Sequence, residues 1–129
     1  MCRPTSPPDQ DQRGLSSSVL ATILFPLVIS ALWLTMQWAM LTWAHATAQA
    51  AAQDGARAAA ALNATAGNGE SKALTAAGNG SIDNLHITAQ RAARLTTVTI
   101  TGTALQVIPG FPVTIQVTAT SPTQRLTPS

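Results

Sequence analysis

From Val19 to Trp43 almost every position is apolar, and no Lys, Arg, Asp or Glu stands between Arg13 and Asp54. At a helical rise this run extends about 37 Å, more than the roughly 30 Å hydrocarbon core of a bilayer. A helix pairs its own backbone donors and acceptors, as lipid requires, so the run predicts a membrane span. Pro26 removes one donor within it and predicts a local kink. Alanine, the strongest helix former, then dominates Ala44 to Leu62, so the helix is expected to continue past the apolar stretch. Asn63, Gly67, Asn68 and Gly69 read as its end, with a short second helix from Glu70 to Ala77 stopped by Gly78-Asn79-Gly80.

From Leu85 the period changes from helical to alternating. Leu95 to Thr101 and Val113 to Thr118 read as strands, with Val98 and Ile100 on one buried face and Val113, Ile115 and Val117 on another. Leu85 to Gln90 is a weaker third strand, and Pro109-Gly110-Phe111-Pro112 a loop, because its prolines cannot donate to a ladder. These elements predict an α+β fold: a long N-terminal transmembrane helix that continues into an alanine-rich helix, packed on a small antiparallel sheet. The expected divisions are a disordered cytoplasmic head at 1–14, containing Pro4, Pro7 and Pro8, a transmembrane helix at 15–43, and an extracytoplasmic domain at 44–129. The last residues, Ser121 to Ser129, are expected to fray.

Trp33, Trp38 and Trp43 recur every five residues, each turned about 140° from the last, so they share no single helix face. Trp43, close to His45, suits a membrane boundary, where an indole can hydrogen-bond at one end. The other two suit lipid or partner packing. Within Asp54 to Ala60, Asp54 and Arg57 can pair across one turn, and Gly55 permits a close approach of another backbone. That segment fits two readings equally: a packing surface for sister subunits, or a seat for the protein's own sheet.

Charged residues are 9% of the chain against a usual ~25%, and the net charge is only +2. The basic residues are scattered rather than clustered among aromatics, which argues against nucleic acid as a partner. Arg3, Arg13 and the amino terminus precede the apolar run and Arg57 follows it, so the head is expected on the cytoplasmic side. The alternative is a secreted binding module released by signal peptidase after Ala46, since Ala44-His45-Ala46 has the small-x-small form of a cleavage site. The apolar run exceeds the 7 to 15 residues or so of a secretory signal and favours the anchor.

Chemistry-bearing residues are few. Cys2 is the single cysteine, which excludes an internal disulfide and a cysteine-based zinc site. His45 and His86 lie on different elements, and Asp54, Glu70 and Asp83 form no paired-carboxylate pattern, so no enzyme, metal site or cofactor is expected. Asn63-Ala-Thr65 and Asn79-Gly-Ser81 match the glycosylation pattern but read as turn asparagines.

Three pieces in order resemble the TadE-like proteins, pseudopilin-like components of bacterial tight-adherence (Flp) pilus and secretion systems. They are Arg13-Gly14 with Ala21-Thr-Ile-Leu-Phe-Pro26 in the apolar run, Ala51-Ala-Gln-Asp-Gly-Ala-Arg-Ala-Ala-Ala60 after it, and the strands around Val107-Ile-Pro-Gly110. The resemblance implies a pilin-like fold and a single-pass protein of the bacterial cytoplasmic membrane that works by assembly. Its partners would be membrane lipid and other pilus or secretion subunits. It further implies processing by a prepilin-type peptidase between Gly14 and Leu15, and a subunit-packing segment at Asp54, Gly55 and Arg57. Five residues after Gly14, Val19 stands where many members carry a glutamate.

Overall fold

The computed structural model describes Cys2 and residues 10–126, with side-chain surroundings given for Cys2 and from residue 17 onward. Two helices, α1 (Gln10–Ala60) and α2 (Ala66–Ala77), precede three strands, β1 (Ile82–Arg91), β2 (Leu95–Ala104) and β3 (Thr114–Pro122). The strands form one antiparallel sheet in the order β1-β2-β3. The fold is therefore α+β, with the long apolar helix first and the small sheet last.

The backbone of α1 is helical from Gln10, so it runs through Gly14 and Leu15. The rest of the expected head lies outside the described residues, apart from the exposed thiol of Cys2. The chain divides into two compact units, Met1–Thr35 and Met36–Ser129. In the first, the large apolar side chains Val19, Leu20, Ile23, Leu24, Phe25 and Leu27 are all exposed. An apolar surface this continuous is not hidden by its own fold, as lipid-facing helices are not. The hydroxyls of Thr22, Ser30, Thr35 and Thr42 each donate to the carbonyl four residues earlier, at 2.9, 2.7, 2.8 and 2.8 Å. These side chains therefore present no unmet donor to lipid. The helix passes through Pro26 uninterrupted, and the carbonyl of that proline accepts from Ser30.

In the second unit, a stripe of alanines on α1 becomes the core. Ala44, Ala48, Ala51, Ala52, Ala56 and Ala59 follow a helical period and are all buried. All but Ala59, which lies against Gly69 of α2, share that core with Val98, Ile100, Ile115 and Val117 from the alternating strands. Val113, expected among them, is only half-buried, because it lies just before β3 begins. Alanine adds little apolar area, yet it lets the sheet approach the helix closely. Thr96 is the exception in the sheet's inner row: it is buried, and its hydroxyl is paired with that of Thr123 at 2.9 Å.

α2 differs from the sequence expectation. Thr65, extended in backbone, caps it by accepting from the Asn68 amide, so the helix starts at Ala66 and absorbs Gly67-Asn68-Gly69. The turn from α1 instead falls at Asn63, whose φ of 60° is left-handed. Gly69 is there to admit α1: a Cβ on it would lie 2.6 Å from Ala59 Cβ and 2.7 Å from the Gly55 carbonyl oxygen. The close approach expected at Gly55 is thus made by α2.

β1 starts at Ile82, ahead of the expected Leu85, and contains a bulge. Asp83 faces Thr103 and His86 faces Thr101, leaving Asn84 and Leu85 opposite Gly102 alone. Asn84 takes a φ of 52° there, and the extra residue breaks the alternation that would have marked the strand.

Candidate functional site

The two edges of the sheet are treated differently. On the β1 side, the bond from Ala92 N to Leu95 O fixes which residues bond inward, so the amides of Ile87, Ala89 and Arg91 point to the outer edge. α2 lies along this edge, and its Glu70 carboxylate accepts from the Ala89 amide at 3.1 Å. Arg91, at the end of β1, donates through Nη1 to the carbonyls of Ala59 (2.5 Å), Ala61 (2.8 Å) and Ala64 (2.6 Å). A cation here meets the negative end of the α1 dipole. The Gln124 amide adds a bond to the Ala60 carbonyl at 2.8 Å.

On the β3 side, Ala104 N bonds Val113 O and Thr123 N bonds Arg94 O. By the same alternation, Thr114, Gln116, Thr118 and Thr120 turn their backbone groups outward. Among the described residues none of these groups has a partner. Two shallow grooves follow this edge along α1. One, of about 630 Å³, sets Leu41, Thr42, His45 and Gln49 beside Val113 to Gln116. The next sets Gln49, Gln53 and Arg57 beside Thr118 to Ser121.

The structure separates the three residues of the expected packing segment. Gly55 is buried against α2. Asp54 and Arg57 remain outside, their side chains 48% and 72% exposed and 3.8 Å apart, a geometry in which an ion pair contributes little. Gly14 and Leu15 share the helical backbone of α1.

One contact has almost no signature in the sequence. The loop after β2 returns to α1, where the side-chain oxygen of Gln37 accepts from the amides of Val107 (2.8 Å) and Ile108 (3.1 Å). The only signal for it is a lone amide side chain within an apolar run. His45 and His86 are both exposed, on α1 and β1, and among the described residues no three His, Cys, Asp or Glu side chains gather as a metal site.

One helix is long and apolar enough to cross a membrane, and a small α+β unit is built on its second part, which fits a single-pass membrane protein. Residues 16–57 match the family of TadE-like proteins. This segment covers Ala21 to Pro26 in the apolar run and Ala51 to Arg57 of the alanine-rich stretch; Arg13-Gly14, α2 and the sheet lie outside it. No curated protein and no solved structure matches the chain.

Proposed function

We propose that this chain is an accessory or minor-pilin-like subunit of a TadE-type pilus or secretion apparatus, held by one membrane helix and acting through assembly rather than catalysis. The observation that carries this reading is the coincidence of the TadE-like segment with one continuous helix of two surfaces. Its first half exposes apolar side chains all round, and its second half buries an alanine stripe under the sheet. In this reading the head is cytoplasmic, the sheet lies outside, and a prepilin-type peptidase cuts between Gly14 and Leu15. Asp54 and Arg57, the latter lining the groove beside β3, are the parts of the expected packing segment left free for other subunits.

Release after Ala46 has less support. That cut would fall inside α1 and remove Ala44, which is fully buried, together with Gln37, which holds the loop. Mass spectrometry of the mature amino terminus from native membranes tests the proposal. Leu15 would support pilin-type processing and Met1 or Cys2 an unprocessed anchor, both within the proposal; a soluble product beginning at Thr47 would overturn it. Crosslinking in native membranes is expected to yield adducts with other subunits, and recovery of monomer alone would count against assembly.

A further inference from the structure

We infer that the β2–β3 loop, residues 105–113, is a second membrane contact, seated in the lipid boundary beside the protein's own helix with Phe111 as its apolar tip. The inference rests on the membrane-anchored reading above.

Depth comes from Gln37. It lies six residues before Trp43, the end of the apolar run, and therefore about 9 Å nearer the bilayer centre along the helix. Val107 and Ile108 bond to Gln37, so the loop reaches a level that the span itself assigns to lipid. An interfacial element buries its apolar face about 5–10 Å into the headgroup and acyl boundary, which agrees with this depth.

The loop's composition fits the same place. No charged residue occurs between Arg94 and Arg125, so no charge opposes entry. Phe111 is 69% exposed and Leu105, at the start of the loop, is also exposed, neither having a place in the core. Irregular backbone in lipid is costly through its unpaired amides. Here Pro109 and Pro112 have none, and Gln37 takes those of Val107 and Ile108. Of residues 105–113, Gln106, Gly110, Phe111 and Val113 keep amides without a partner, a demand that headgroups and water can meet at the boundary but the hydrocarbon centre cannot. Gln37 benefits in turn, since the loop supplies donors for a polar group within an apolar run.

The test uses the full chain in phosphatidylethanolamine/phosphatidylglycerol vesicles. In a Cys2→Ser background, nitroxide labels are placed singly at Val28→Cys in the span, Phe111→Cys in the loop and Thr120→Cys on the sheet. Collision with oxygen, which favours lipid, is compared with collision with a water-soluble nickel chelate. The expected result is a label at 111 that favours oxygen several-fold, as at 28, while 120 favours nickel. Gln37→Leu should raise both mobility and nickel access at 111. If 28 reads lipid while 111 behaves like 120, the loop inference fails and the span stands. If neither reagent reaches 111, protein covers it, and the inference fails equally. If 28 itself reads water, the anchored reading falls and takes the loop with it.

Discussion

Gly55 of α1 and Gly69 of α2 each lie where the other's side chain would begin: a Cβ on Gly55 would come within 2.8 Å of the Gly69 carbonyl oxygen, and one on Gly69 within 2.7 Å of that of Gly55. The two helices cross at bare backbone. Gly55→Ala should therefore destabilise the fold by about 1–2 kcal/mol, the cost of overpacking reduced by alanine's better helix propensity. Chemical unfolding of the full chain in detergent micelles checks this. A neutral or stabilising effect would mean that α2 shifts freely.

Gly102 faces the β1 bulge, where an added methyl would overlap the Ile82 Cγ2 and come within 3.1 Å of the Asp83 carbonyl oxygen. Gly102→Ala is expected to cost about 1–3 kcal/mol. Combining it with Ile82→Ala should cost less than the sum of the two single changes, because the second removes the methyl that the first strikes. Denaturant midpoints of the four proteins in this cycle measure the coupling, and strict additivity would refute the contact.

Arg91 joins β1 to the end of α1 through three carbonyls. Arg91→Met keeps much of the side-chain length and removes the donors, so about 2 kcal/mol should be lost. Amide exchange in the last turn of α1 should accelerate more than exchange in the middle of β2. Uniform acceleration would show that the residue acts on global stability alone.

Glu70 supplies the acceptor for the Ala89 amide on the outer edge of β1. Glu70→Ala should speed exchange at Ala89 and cost roughly 1 kcal/mol, whereas Glu70→Gln, which keeps an oxygen at the same reach, should preserve most of the protection. Equal effects from the two substitutions would argue that the bond is not made in solution.

The parts of this molecule that were legible in its sequence are those where neighbouring residues set the pattern. The apolar run, the alanine stretch and the alternation that buries Val98, Ile100, Ile115 and Val117 all have local periods. Gly67-Asn68-Gly69 was misread as a break because glycine has two uses, ending a helix and admitting a neighbour, and only the opposing Gly55 and Ala59 distinguish them. The start of β1 was missed because the bulge at Asn84 interrupts its period. Glu70, Arg91 and Gln37 act on backbone far away in the chain, so no short pattern records their roles.

The pairing of Leu41 to Gln49 with Val113 to Gln116, and of Gln49 to Arg57 with Thr118 to Ser121, means that β3 travels in the same sense as α1. If the chain is anchored as proposed, neighbouring copies inserted the same way up would hold their β3 strands codirectional. The symmetric antiparallel union that most readily fuses two bare strand margins would require one copy to stand on its head. Under the anchored reading proposed above, membrane insertion would thus quarantine a margin that a freely tumbling version of the same domain leaves open to self-adhesion.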